Sequence, residues 1–189
     1  MVLFNQNISR GKIMNTANKF TIFRVILIPF FVLFMLKNIT EYSRLIALII
    51  FIVATITDHF DGAVARKYNM ITSFGKFMDP IADKLLVSSA LICLTSLGDI
   101  PAWAVIIIIL REFAVSGIRL VAADNGAVIA AAGWGKAKTV AQMTMIIIFL
   151  LNIPQLYILS QISLYTAVIL TVVSMVDYII KNKSVIKFK

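Results

Sequence analysis

The stretch that decides the fold covers residues 57–84 and reads TDHFDGAVARKYNMITSFGKFMDPIADK. It contains two pairs of aspartates, Asp58 with Asp61 and Asp79 with Asp83. Because the members of each pair are three or four residues apart, each pair shares one face if its segment is helical. We therefore predict two helices that each present a pair of carboxylates near one end.

The segment between the two aspartate pairs favours a turn, because it contains Asn69, Ser73 and Gly75. A turn here would make the two helices an antiparallel hairpin. Their adjoining ends would then bring all four carboxylates together at one end of the hairpin.

Six apolar runs divide the chain, and they cover Thr21–Leu36, Leu45–Thr57, Leu85–Leu97, Ile100–Leu110, Thr139–Leu151 and Leu156–Val176. A helix needs about 20 residues to cross the hydrocarbon core of a bilayer. The four middle runs reach that length only when charged residues at one end are included. Charge at membrane depth is costly unless it faces water or a partner. We therefore predict an all-α integral membrane fold with six transmembrane helices around a shared polar cavity.

Composition and charge also indicate a membrane protein. Of the 189 residues, 60% are hydrophobic and only 14% are charged, against about 25% charged in soluble domains. With six helices, all 18 Lys and Arg residues except Lys37 and Arg44 fall on the side of the N-terminus. The positive-inside rule then predicts that both termini and the polar cavity face the cytoplasm. The net charge of +9 needs no nucleic acid, for which no soluble basic domain is predicted.

The predicted domain organisation is simple. Residues 1–13 do not show the pattern of a cleaved signal peptide, and they include the polar residues Asn5, Gln6, Asn7, Ser9, Arg10 and Lys12, so we expect an N-terminal extension of unknown role. Residues 14–189 are expected to form one membrane domain, which opens with a juxtamembrane segment before the first helix. The single cysteine, Cys93, lies in an apolar run and predicts a packing role.

Four carboxylates in one place repel one another, so a cation must offset them. A hard divalent cation with oxygen ligands fits, and the lack of a histidine or cysteine ligand set favours Mg²⁺ or Mn²⁺ over Zn²⁺. Carboxylates that hold one or two such ions are typical of phosphoryl-transfer sites. The competing interpretation is that the aspartates pair with nearby basic residues, namely Arg66, Lys67, Lys76 and Lys84.

The same stretch resembles the signature of the CDP-alcohol phosphotransferase family at every fixed position, which here reads Asp58-x2-Asp61-Gly62-x2-Ala65-Arg66-x8-Gly75-x3-Asp79-x3-Asp83. The resemblance implies attack of an alcohol hydroxyl on the β-phosphorus of a CDP-linked lipid, with release of CMP. It implies two metal ions bound by Asp58, Asp61 and Asp79, with Asp83 sharing these ions or acting as the base. It also implies that the CDP-lipid is bound by Asn18, Thr21, Asp61, Gly62, Arg66 and Gly75.

Asp83 is the residue that we expect to act as the catalytic base. The attacking hydroxyl needs a nearby carboxylate to accept its proton. Asp83 is the last of the four aspartates along the chain and lies deepest in the predicted membrane helix. The family resemblance leaves open that Asp83 shares the metal ions as well.

Basic residues on the fourth and fifth helices predict the acceptor alcohol. Arg111 and Arg119 lie about 80° apart around a helix, so both can line one groove, and a guanidinium suits a phosphate. Lys136 and Lys138 point to nearly opposite sides of a helix. We therefore expect only one of these lysines in the pocket, and we assign Lys136. Cations beyond those that a diphosphate needs favour a phosphorylated alcohol.

The run from Met14 to Thr139, including REFAVSGIR at 111–119 and GKAKT at 135–139, is similar to bacterial members of the family that use glycerol 3-phosphate. This resemblance implies CDP-diacylglycerol and sn-glycerol 3-phosphate as substrates and a homodimer as the assembly. Inositol phosphate, serine and phosphatidylglycerol stay open as other acceptors.

A cation transporter is the competing function from another class, since carboxylates in membrane helices often carry ions. Transporters usually combine inverted repeats with a site near the bilayer midplane. Here the acids gather at one end of one predicted hairpin, which favours the enzyme.

Overall fold

The structure is a computed structural model, and it describes the backbone of residues 16–37, 39–67, 73–124 and 133–183. Side chains are described for residues 21–37, 39–57, 81–123 and 133–183. The predicted N-terminal extension, residues 1–13, lies outside these ranges.

Within the described ranges the chain forms six α-helices and one 3-10 turn, with no strand. The elements are α1 (Thr16–Leu36), α2 (Ser43–Lys67), α3 (Ser73–Ser96), α4 (Ala102–Asp124), α5 (Gly133–Leu151), the 3-10 turn Pro154–Leu156, and α6 (Tyr157–Lys181). The prediction of an all-α fold with six helices is confirmed. The four middle helices also continue through their charged ends, as their short apolar runs predicted.

The helix bounds leave fewer residues between α2 and α3 than the predicted turn. The α2 helix continues to Lys67 and α3 already begins at Ser73, so Ser73 and Gly75 lie in the first turn of α3. The assignment of these two residues to the turn was wrong. Serine and glycine are favoured at helix starts as well as in turns, so their presence marked the boundary without saying on which side of it they lie.

Two helices end at residues that tolerate a left-handed backbone. Gly98, two residues beyond α3, has φ 80°, and Asn152, directly after α5, has φ 49°. In the first of these turns the amide of Asp99 donates to the carbonyl of Leu94 at 2.9 Å, which satisfies a carbonyl at the helix end. These residue types are common at such ends because they pay little for a positive φ.

Arg44 ties three segments together at one end of the bundle. It lies at the start of α2, and its guanidinium donates both to the carboxylate of Asp99 and, at 2.8 Å, to the backbone carbonyl of Phe149 near the end of α5. The start of α2, the turn after α3 and the end of α5 therefore meet. The aspartate-bearing segments of α2 and α3 extend toward the opposite end of the bundle.

The α1 helix holds the two aspartate helices in place. Among the described residues it packs extensively against both α2 and α3, whereas α2 and α3 contact each other over few residues. Buried aromatic rings contribute, since Phe31 of α1 and Phe51 of α2 lie with centroids 6.0 Å apart. The predicted α2–α3 hairpin is therefore supported through α1 rather than by direct packing along its length.

The distribution of polar and apolar side chains is that of a membrane protein. Large apolar side chains are exposed on every helix, and Leu120 and Ile158 each reach 72%. Several polar and charged side chains are instead buried, namely Thr21, Arg24, Ser43, Arg111, Lys138, Gln142, Ser160, Thr171 and Ser174. In water so much exposed apolar surface would be unfavourable, whereas lipid accepts it and drives polar groups inward.

Within the described residues, the segment Pro154–Lys181 is long and apolar enough to cross a membrane. Two shorter apolar helical segments, Thr21–Leu36 and Ser43–Thr57, accompany it. Membrane spans at all six helices stay a prediction.

Candidate active site

The four signature aspartates occupy the helical positions that the sequence predicted. Asp58 and Asp61 belong to α2, and Asp79 and Asp83 belong to α3. Since both helices are continuous there, each pair shares one helical face. The side chains of Asp58, Asp61 and Asp79 lie outside the described residues, so the meeting of all four carboxylates stays a prediction.

Several predicted CDP-lipid ligands also lie where only the backbone is described. Asn18 belongs to α1, Gly62 and Arg66 to α2, and Gly75 to α3. Their side chains are outside the described residues, and their binding roles stay predictions.

Two polar side chains of α1, those of Thr21 and Arg24, face the interior of the bundle. Thr21 and Arg24 are each 1% exposed, which excludes a solvated surface position for these two residues. An arginine buried among helices is costly unless its surroundings offset the charge, so such residues mark functional positions. Thr21 therefore lies on the side of α1 where a ligand between the helices could reach it.

A cavity next to Asp83 lies between α3, α4 and α5. Its polar lining comes from Asp83, Lys84 and Ser88 of α3, Glu112 of α4, and Lys138, Thr139 and Gln142 of α5. The proposed base and a buried cation thus line one cavity. The cavity is small, about 30 Å³, so it places a proton acceptor beside a buried cation without enclosing a substrate.

Glu112 lies at the centre of a buried ionic network. Its carboxylate accepts hydrogen bonds from the ammonium of Lys138 and, at 3.2 Å, from Nη1 of Arg111. Nη2 of Arg111 donates to Oγ of Ser174 at 2.6 Å. The network joins α4, α5 and α6, and Lys138 is only 1% exposed.

The two lysines of α5 differ as their spacing predicted, but Lys138 is the one that lies inside. Lys138 lines the cavity and Lys136 is exposed. From the sequence we assigned Lys136 to the phosphate. The spacing of the two lysines shows that they point to opposite sides of the helix, but it does not determine which of them faces inward. The burial favours Lys138 as the interior cation, and phosphate binding by Lys136 stays a prediction.

The two arginines of α4 both lie against α6. Arg111 is buried beside Ser174 and also lines an apolar groove between α4 and α6. Arg119 is exposed, and its guanidinium carbon lies 5.7 Å from the centroid of the Tyr178 ring. Both arginines therefore line the same side of α4, as their spacing predicted.

Sequence reasoning missed Ser174, Tyr178 and Gln142. Gln142 donates to Thr171 of α6 at 3.3 Å, and Ser174 and Tyr178 contact the arginines. No local pattern marks these residues, because a serine, a glutamine or a tyrosine in an apolar helix is also compatible with packing. The only sequence feature that could have indicated Ser174 and Tyr178 is their spacing of four residues, which places both on one face of α6.

The residues present fit a hard divalent cation. The signature supplies four carboxylates on two helices, and carboxylate oxygens are the ligands that Mg²⁺ and Mn²⁺ prefer. Among the side chains that the structure describes, no group of three or more His, Cys, Asp and Glu residues could hold a metal. Three of the four signature aspartates fall outside that set of side chains.

An apolar helical bundle with paired carboxylates and interior cations defines a membrane enzyme that handles phosphate esters. The model of the CDP-alcohol phosphatidyltransferase family matches residues 14–173. The chain belongs to this family, whose members are membrane-bound and use divalent metal ions.

Individual relatives are similar over most of their length. The chain is 45% identical to the CDP-diacylglycerol–glycerol-3-phosphate 3-phosphatidyltransferase of Bacillus subtilis, over 92% of this chain and 97% of that protein. It is 42% identical to a probable phosphatidylglycerophosphate synthase of Mycobacterium tuberculosis, over 90% and 82% of the two chains. A relative from Haemophilus influenzae with the same name as the Bacillus protein is 44% identical, over 84% and 88%.

Proposed function

We propose that the protein transfers a phosphatidyl group from CDP-diacylglycerol to sn-glycerol 3-phosphate, giving phosphatidylglycerophosphate and CMP. The observation that carries the proposal is the cavity in which Asp83 and the buried cation Lys138 share one lining. The names of relatives that are 42–45% identical support the same reaction.

Asp83 is the base in this proposal. As a hydroxyl oxygen of glycerol 3-phosphate bonds to the β-phosphorus of the CDP-lipid, the hydroxyl proton passes to the Asp83 carboxylate. The bond from that phosphorus to the bridging oxygen breaks, and CMP leaves with the electron pair. Lys138, which lines the same cavity, supplies positive charge near the incoming phosphate.

The metal-binding residues are Asp58, Asp61, Asp79 and Asp83, which would hold two ions of Mg²⁺ or Mn²⁺. When bound, these ions neutralise charge on the diphosphate and on the leaving phosphate. Each of the two helices presents two aspartates on one face, so all four aspartates can contribute ligands to the two ions.

The CDP moiety is bound beside the aspartates, by Asn18, Thr21, Asp61, Gly62, Arg66 and Gly75. The two glycines allow close approach of the ligand to the backbone. The burial of Thr21 supports this location, because its side chain faces the interior of the bundle where α1 meets α2 and α3.

The acceptor phosphate is bound by cations of α4 and α5. Arg111, Arg119 and Lys136 follow from the sequence, and the burial of Lys138 adds a fourth group. Guanidinium and ammonium groups suit a phosphate dianion, whereas serine offers only a carboxylate monoanion beside an ammonium group of its own.

The six helices span the cell membrane, with both termini and the active site on the cytoplasmic side. Lys37 and Arg44 then mark the outer side, and the end of the bundle where Arg44 contacts Asp99 faces outward. Residues 14–189 are the catalytic domain, and residues 1–13 precede it as an extension. The enzyme works as a homodimer.

Purified protein tests the function directly. CMP release is measured with CDP-diacylglycerol and Mg²⁺ while glycerol 3-phosphate, inositol phosphate, serine or phosphatidylglycerol is supplied in turn. We expect release with glycerol 3-phosphate. Release with another acceptor alone would refute the proposed substrate, and cation flux in liposomes without CMP release would refute the enzymatic proposal.

A further inference from the structure

Two residues on one face of α6 contact the two α4 arginines. Ser174 and Tyr178 are one helical turn apart, and they are 1% and 2% exposed. Ser174 accepts a hydrogen bond from Arg111, and the ring of Tyr178 lies beside the guanidinium of Arg119. Both residues follow residue 173, where the match to the family model ends.

The contact at Ser174 fixes the orientation of a buried guanidinium. Nη2 of Arg111 donates to Oγ of Ser174 at 2.6 Å, while Nη1 donates to Glu112 at 3.2 Å. A planar guanidinium held at both terminal nitrogens cannot rotate freely. Glu112 and Ser174 together therefore determine which N–H groups of Arg111 remain for a ligand.

The contact at Tyr178 restricts the exposed side chain of Arg119. Without a contact, the guanidinium of Arg119 would sample many rotamers, and each binding event would have to order it. The ring of Tyr178, 5.7 Å away, attracts the cation and restricts those rotamers. A guanidinium against a ring keeps N–H groups free at its edge, and these are the groups that a phosphate accepts.

The ring of Tyr178, rather than its hydroxyl, carries this contact. The hydroxyl is buried and has no hydrogen-bond partner among the described residues. A buried hydroxyl without a partner opposes stability, so its loss should be tolerated. Phenylalanine should therefore replace tyrosine at this position.

We infer that Ser174 and Tyr178 are positioning residues that orient Arg111 and Arg119 toward the phosphate of the acceptor. The inference rests on the proposed function, because it takes the two arginines as ligands of that phosphate. It makes α6 one of the helices that determine acceptor binding. It predicts that substitutions of Ser174 and Tyr178 change KM for the acceptor rather than KM for the CDP-lipid.

The test measures kcat and KM for glycerol 3-phosphate and KM for CDP-diacylglycerol in two variants, Ser174→Ala and Tyr178→Leu. An exposed cation–π contact corresponds to about a two- to fivefold change in an equilibrium constant. A hydrogen bond to a charged group corresponds to about tenfold or more. We expect KM for glycerol 3-phosphate to rise by these factors, while KM for CDP-diacylglycerol stays within about twofold.

Two variants on the same helix are matched controls, Ser163→Ala and Tyr165→Leu. The hydroxyl of Ser163 bonds to a backbone carbonyl of its own helix, and Tyr165 contacts Trp103. Neither control should change KM for glycerol 3-phosphate. Tyr178→Phe should restore the KM that Tyr178→Leu loses, because it keeps the ring.

A double-mutant cycle separates positioning from general loss of structure. In an Arg119→Ala background, Tyr178→Leu should raise KM no further, because residues that act through one contact are not additive. Additive effects, equal increases in both KM values, or a loss in Tyr178→Phe would overturn the inference. Arg119 is exposed, so Arg119→Ala should fold even if Tyr178→Leu does not. In that case Arg119→Lys is measured in place of Tyr178→Leu, because lysine keeps the positive charge but lacks the planar guanidinium that lies beside the ring.

Failure of the inference and failure of the proposed function give different results. Wild-type protein that uses another phosphorylated acceptor would refute glycerol 3-phosphate, and the same KM comparison on that acceptor would still decide the roles of Ser174 and Tyr178. Wild-type protein that uses only an acceptor without phosphate would refute both.

Discussion

The ammonium of Lys138 on α5 donates to the carboxylate of Glu112 on α4, and both residues line the cavity that contains Asp83. The pair places opposite charges next to the proposed base. Arg111 contacts the same carboxylate at 3.2 Å, so Glu112 pairs with two buried cations, and Asp83 adds a second carboxylate to the cavity.

Removing the charge of Glu112 should destabilise the protein. Glu112→Gln leaves Lys138 and Arg111 buried without a carboxylate, and a broken buried ion pair costs about 3–5 kcal/mol. Thermal unfolding in detergent should therefore begin at a lower temperature than in wild type. The control is Asp177→Asn, which removes a carboxylate that pairs with the exposed Lys181 at i,i+4, a contact worth only about 0.3–0.5 kcal/mol. Equal losses in the two variants would contradict the buried network.

Neutralising Asp83 should stop turnover. Asp83→Asn keeps the shape of the side chain but removes the proton acceptor, and general base catalysis contributes about 10²–10⁴-fold to a rate. We expect CMP release to fall by at least that lower factor, while Mn²⁺ binding followed by electron paramagnetic resonance is largely kept. Asp99→Asn, which alters a carboxylate paired with Arg44 near the other end of the bundle, is the matched control. Normal turnover in Asp83→Asn would remove this residue from the mechanism.

Substitutions of the two α5 lysines should change KM for the acceptor to different extents. Lys138→Met removes a buried cation from the cavity, whereas Lys136→Met changes an exposed side chain. A charge-assisted hydrogen bond to phosphate is worth about 1.5–3 kcal/mol, so Lys138→Met should raise KM for glycerol 3-phosphate about tenfold or more. The increase should be smaller in Lys136→Met. A larger effect at Lys136 would show that this lysine is the main phosphate ligand.

The membrane orientation can be read from cysteine labelling in intact cells. Native Cys93 is buried, so it should react slowly with an impermeant maleimide. Lys37→Cys should be labelled from outside, because position 37 follows α1 at the predicted outer end. Lys183→Cys, two residues after α6, should be labelled only after the cells are made permeable. The reverse pattern would invert the proposed orientation.

Much of the fold follows from local features of the chain. The apolar runs predicted six helices, and the aspartate spacings predicted pairs of carboxylates on shared helical faces, because helical periodicity depends only on neighbours along the chain. The boundary of α3 was less predictable, since Ser73 and Gly75 suit both a turn and a helix start. The family signature, likewise local, identified the chemistry before any tertiary contact was known.

Contacts between helices decided the rest. Periodicity separated Lys136 from Lys138 but did not say which one faces the bundle, and packing of α5 on its neighbours buried Lys138. The support of Arg111 and Arg119 by Ser174 and Tyr178 joins residues more than fifty positions apart, through a helix whose sequence is compatible with simple lipid contact. The orientation of a helix about its own axis depends on the side chains of its partners, so neither fact can be derived from one helix alone.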